Sequence, residues 1–120
     1  MNYSTTRNLI IVISLLLIAG CANQKRARNE AILKENLYHI RTAIDQYTQD
    51  NSRAPAHLAD LVTAHYLKTI PKDPFTNSAS TWVEVREDTL HSIDQTQPGI
   101  SDVHSGSSLV SSEGGRYSDW

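Results

Sequence analysis

Residues 9–19 form an apolar run of about eleven residues that ends at Gly20 and then Cys21, the single cysteine of a 120-residue chain. A charged start (Arg7), an apolar core and a small-residue exit make a secretory signal, and a cysteine directly after Ala19-Gly20 has the form of a bacterial lipoprotein signal. The signal peptidase needs small side chains before the cut, and the Cys21 thiol is the nucleophile that accepts the diacylglycerol. The expected division is therefore a signal peptide over 1–20, with Gly20 and Cys21 as the cleavage pair and Cys21 as the lipidation site. A polar linker over 21–26 and a folded domain over 27–120 follow. Two other readings use the same residues. An uncleaved membrane span needs roughly 20 apolar residues, more than the run supplies, and a plain secretory signal leaves the position of Cys21 unexplained. Acyl chains anchor because each buried CH₂ contributes about 0.8 kcal/mol.

Removal of the signal leaves about 100 residues, enough for one small domain. Such a domain buries only about 60–65 % of its unfolded surface, so its core is modest. The net charge of −2 argues against a nucleic-acid partner. Lys25, Arg26 and Arg28 form the one basic cluster; they read either as a solvated linker or as a contact with anionic headgroups. With Cys21 acylated, no thiol remains for disulfide or redox chemistry.

Leu33, Leu37, Ile40, Ile44 and Tyr47 recur at steps of four, three, four and three, which is one face of a helix reaching about Asp50. Glu30 and Lys34 stand at i,i+4 with the acid first, and Asn51-Ser52 supply a left-handed C-cap. Pro55 is expected to open a short second helix that buries Leu58, Leu61 and Val62. Pro71 and Pro74 then force a rigid turn, in which Asp73 caps its own backbone. Residues 82–86 alternate as a strand does, and residues 99–105 alternate again, which predicts an antiparallel sheet of about three strands. The Gly/Ser-rich remainder ends in Tyr117 and Trp120; aromatics there predict an ordered loop that docks rather than a free tail. The fold class is α+β.

The order of these elements is specific. A long amphipathic helix is followed by Pro-x-x-Leu-x-x-Leu (Pro55, Leu58, Leu61). Tyr-Leu-x-x-Ile-Pro-x-Asp-Pro comes next, over residues 66–74, and then a short sheet and a Gly-rich loop closed by an aromatic. From about residue 30 onward the chain resembles the soluble domain of the major pseudopilin of type II secretion systems, the general secretion pathway protein G family. The resemblance implies a pilin-like head, an N-terminal helix packed on a small antiparallel sheet, and a role in a periplasmic pseudopilus. It also implies a Ca²⁺ site in the last loop, for which Glu113 and Asp119 are the charged candidates; Ser108 stands where an aspartate is expected. Few charged ligands make such a site weak. The chain departs from the family at its start. Pseudopilins are cut after a Gly that precedes Phe-Thr-Leu-Ile-Glu and keep the apolar helix that follows. Here Gly20 is followed by Cys-Ala-Asn-Gln-Lys-Arg. A chain starting at Cys21 has no apolar stem for a filament core.

The remaining chemistry-bearing residues read as structural. His57 and His65 are eight apart, too far on a helix to share an ion directly, and His39 lies beside the apolar stripe. Asp102, His104 and Ser105 are the residue types of a triad, but on a strand Ser105 points opposite to the other two. Glu84 and Asp88 read as a solvated strand edge, and Gly114-Gly115 lacks the partners of a phosphate loop. The expectation is a non-enzymatic, lipid-anchored, pseudopilin-like protein that faces the periplasm or the outside. Its expected partners are the membrane and type II secretion or pilus-type components, with no nucleic acid, small-molecule substrate or cofactor other than weak Ca²⁺. Ala22 after the cysteine points to an outer-membrane address where the cell has one. The alternative is a general envelope lipoprotein that binds an extracytoplasmic partner, since fold alone does not fix function.

Overall fold

A computed structural model describes residues 3–120. Helix α1 spans Tyr3–Asn51 without a break. At 1.5 Å per residue its 49 residues extend about 74 Å, which accounts for most of the 83 Å long axis of the molecule. Its last residue is closed by its own side chain, with Asn51 Nδ2 donating to the Tyr47 carbonyl at 2.8 Å. Ser52 then turns left-handed at φ 54°, as expected of a C-cap residue. Residues 21–26 are not a linker but part of the helix. Ala, Gln, Lys and Arg are good helix formers and no Gly or Pro interrupts them after Gly20, so polarity alone does not end the element.

The apolar stripe of α1 packs as its spacing requires. Leu33, Leu37, Ile40, Ala43 and Ile44 are buried against Leu58 and Leu61 of α2 (Leu58–Thr63) and Ile100 and Val103 of β2 (Ile100–His104), with Trp82 and Tyr117 completing the core. Strand β1 (Val83–Arg86) pairs antiparallel with β2, Glu84 opposite Val103 and Val85 opposite Asp102. The register slips between Val85 and Arg86, and Ser101 is the extra residue; a bulge of this kind increases the local twist. The layout is thus α+β, a long helix packed on a small antiparallel sheet with a short second helix. The sheet has two strands rather than about three. Val110 does pair with Arg116, but only as an isolated bridge, because the Ser/Gly-rich segment around it closes on itself: Ser111 N–H donates to Gly115 O at 2.7 Å and Tyr117 N–H to Leu109 O at 3.0 Å.

The start of α2 also differs from the sequence expectation. Pro55 does not open α2. It is fully buried three residues earlier, and its carbonyl accepts the Ile100 N–H at 2.8 Å. The helix starts where the Asp60 carboxylate reaches back to the His57 N–H at 2.9 Å, a capping interaction that the proline cannot make. The double-proline turn behaves as read: Asp73 is fully buried, its Oδ1 accepts the Phe75 N–H at 2.8 Å, and its Oδ2 accepts the Ser105 hydroxyl at 2.5 Å.

Candidate membrane anchor and C-terminal strap

Cys21 is exposed and unpaired on the surface of α1. Before it, Leu9, Ile10, Ile11, Val12, Ile13 and Leu15 to Ile18 stand 48–67 % exposed, because the head begins only at Glu30, the first buried residue of the helix. The helix carries a window long and apolar enough to cross a membrane, none of it covered by the rest of the protein. The apolar run in sequence is shorter than a bilayer core, but the helix that contains it is not, so length does not exclude a span. Gly20 has no packing role, since a Cβ there would meet no atom within 4 Å.

Five residues after Cys21 the C-terminal segment is strapped onto α1. Arg26, Glu30 and Lys34 share one helix face at i,i+4 spacing, and each holds a different point of the strap. Arg26 Nη2 donates to the Val110 carbonyl at 3.0 Å. Glu30 accepts from the Ser112 N–H at 2.7 Å, the Ser112 hydroxyl at 2.6 Å and the Tyr117 hydroxyl at 2.7 Å, with Arg26 Nε at 3.4 Å. Lys34 pairs with Glu113 at 2.6 Å and lies 4.7 Å from the Trp120 ring centroid. Further along, Arg41 Nε donates to Asp102 Oδ1 at 2.6 Å and its Nη2 to the Val103 carbonyl at 2.9 Å. Tyr117 is the centre of this arrangement. It stacks on Phe75 with ring centroids 3.8 Å apart and meets Trp120 edge-on at 5.2 Å. The expected docking of the terminal aromatics is therefore present.

Burial alone would raise the Glu30 pKa. The hydrogen bonds from Ser112 and Tyr117 and the Arg26 charge outweigh that and hold it at about 2. Tyr117 moves the other way: burial, then its bond to the Glu30 carboxylate, raise its phenol above the ordinary value. By spacing alone Glu30 pairs with Lys34 at i,i+4. The structure gives Lys34 to Glu113 instead and turns Glu30 inward. The signal that could have found it is positional, since Glu30 continues the buried stripe by one step of three before Leu33.

The two calcium candidates have different partners. Glu113 is exposed and paired with Lys34, and Asp119 Oδ2 accepts the Arg116 N–H at 3.3 Å within the last turn. Among the described residues no group of three or more His, Cys, Asp or Glu is arranged to hold a metal. Asp102 and His104 share a face as expected, with His104 Nε2 3.9 Å from Asp102 Oδ2, but Asp102 also takes Arg41, the His104 Nδ1 lies 2.5 Å from the Trp120 carbonyl, and Ser105 is turned away to donate to Asp73. Glu84 is not a solvated edge residue. Its Oε1 accepts the Leu58 N–H at 3.1 Å at the start of α2, and its Oε2 meets Arg86 at 3.1 Å and His57 at 3.6 Å. His39 is exposed beside Glu35 at 3.5 Å.

Compared with known proteins, the chain matches no family model. It matches no curated protein and no solved structure significantly.

Proposed function

We propose that this protein is a lipid-anchored, pseudopilin-like homologue of the protein G family that serves type II protein secretion as a structural component or accessory. The observation that carries the anchor is the pairing of Gly20 and Cys21. Gly20 has no neighbour that requires a glycine, and Cys21 is an exposed thiol with no partner; processing and acylation give both residues a reason. The secretion role rests on the order of elements: long amphipathic helix, Pro55-x-x-Leu58-x-x-Leu61, the 66–74 turn, the small sheet and the docked aromatic end. In this reading Cys21 tethers the protein with its head outside the cytoplasm, and the head works by contact rather than catalysis.

Intact mass spectrometry of the membrane-extracted protein tests the anchor. A mass equal to the chain from Cys21 plus acyl groups, lost in Cys21→Ala, is expected. An unacylated mass that retains residues 3–20 would replace the lipid by a membrane-spanning helix. Co-purification of secretion-system components from crosslinked membranes, together with an export defect on deletion, tests the role. Normal export without the protein would leave the general envelope lipoprotein.

A further inference from the structure

The strap leaves one apolar feature on the surface that the core does not use. Leu109 and Val110 are both 59 % exposed, in a segment otherwise built of Ser and Gly apart from Glu113. Their position is fixed from two sides. The Val110 carbonyl is held by Arg26, and Val110 bridges to Arg116. Arg26 is five residues from Cys21, about 8 Å along the helix axis. The aliphatic pair therefore sits at the end of the head nearest the membrane attachment, with Arg26 and Arg116 beside it and exposed Lys25 and Arg28 around the other sides of the helix. Two of the nearby carboxylates are paired with cations, Glu30 with Arg26 and Glu113 with Lys34, while Asp119 accepts only the Arg116 backbone N–H.

We infer that Leu109 and Val110, with Arg116 beside them and Lys25 and Arg28 on the adjoining helix surface, form a second membrane contact that docks the head on an anionic lipid surface and fixes its orientation. Aliphatic side chains flanked by arginines are the chemistry of the headgroup boundary, where the apolar parts enter and the guanidiniums meet phosphate. The occupant follows from continuity: the bilayer boundary lies a turn or two away whether the attachment is an acylated Cys21 or a span through residues 3–20. The inference rests on residues 9–21 being the membrane attachment but not on which form it takes. A tether alone would leave the head free to rotate. A second contact on the same end holds α1 away from the surface, with the turn after Asn51 as the outermost part.

The test uses the full chain reconstituted into phosphatidylcholine–phosphatidylglycerol vesicles that contain a doxyl-labelled lipid. An environment-sensitive fluorescent amino acid replaces Leu109 in one sample and Ile93 in another. Ile93 is fully exposed, and its neighbour Asp94 faces Tyr47 and Arg53 at the far end of α1, about 39 Å from Cys21 along the axis. Blue-shifted emission and quenching at position 109 but not at 93 are expected, with the effect reduced by Arg116→Gln and in vesicles of phosphatidylcholine alone. A probe at 109 as solvent-exposed as the one at 93, in protein that floats with the vesicles, overturns the inference while leaving the attachment intact. Quenching at both positions overturns it as well, since the head then has no fixed orientation. A chain that does not float with the vesicles overturns the attachment and this contact together. The mass of the same sample separates the acylated form from the spanning form.

Discussion

Replacing Glu30 by Gln removes one negative charge from the strap and leaves the shape of the side chain nearly unchanged. The carboxylate is 8 % exposed, and its two oxygens take three hydrogen bonds from Ser112 and Tyr117. Lowering its pKa from 4.5 to about 2 corresponds to roughly 3 kcal/mol in favour of the folded state with Glu30 ionised. Hydrogen bonds to charged groups contribute about 1.5–3 kcal/mol each, so a net effect of this size is within what the three bonds can supply. Glu30→Gln should therefore cost about 3 kcal/mol at pH 7, a fall in Tm of roughly 12–24 °C for a head of this length. The pH dependence has a definite sign. Above pH 5 Glu30 is ionised in both states and the stabilisation is complete. As the pH falls from about 4.5 to about 2, the unfolded chain takes up the proton first, so stability falls through that window. Urea titrations followed by tyrosine and tryptophan near-ultraviolet dichroism, run at pH 7 and at steps down to pH 3, measure both effects. A Glu30→Gln protein within about 0.5 kcal/mol of the parent at pH 7, the size of an ordinary surface substitution, would refute the reasoning. So would a variant that keeps the parent's loss of stability between pH 5 and 3.

Gly106→Ala should destabilise the head by about 1–3 kcal/mol or more, because the added Cβ would lie 2.1 Å from the Thr81 carbonyl oxygen, a backbone atom that cannot swing aside; thermal denaturation beside Gly115→Ala, whose Cβ meets nothing, provides the control. Arg41→Ala should cost only about 1 kcal/mol, because its pair with Asp102 is more than a third exposed on both sides, and Arg41→Lys should not restore it fully, since a lysine cannot hold Asp102 and the Val103 carbonyl together. Chemical denaturation of the three proteins measures both differences.

What the sequence disclosed follows its periodicity. Leu33, Leu37, Ile40 and Ile44 declared their face because a helix averages the environment over many turns, and all four are buried. Alternation marked the two strands but not their common buried face: Ile100 and Val103 are three apart, and the bulge at Ser101 is what turns both inward. The misreadings lie where partners are distant in sequence. Glu30 looked like half of a local pair with Lys34, but its bonds run to residues 82 and 87 positions away, and no local spacing encodes those. Pro55 fits a helix start by its ring geometry, yet its carbonyl belongs to β2 and the cap comes from Asp60. Glu84 looked solvated because strand ends usually are, whereas the start of α2 is brought against it by the tertiary fold. The polar run at 21–26 shows the reverse case: it marked a change of environment, from exposed stem to head, rather than a change of backbone conformation.

The strap also sets an order of events. Tyr117 is part of the core, and Ser112 and Tyr117 are the donors that satisfy the buried Glu30. Closing those contacts joins positions more than 80 residues apart, a loop closure that local helix formation does not reward in advance. Until residues 112–120 are in place, Glu30 lacks its Ser112 and Tyr117 donors and the core lacks the Tyr117 ring, although α2 and β2 can already cover the stripe of α1. Removing these contacts therefore weakens the head as a whole and not the strap alone, because the buried carboxylate and the Tyr117 ring belong to the same core.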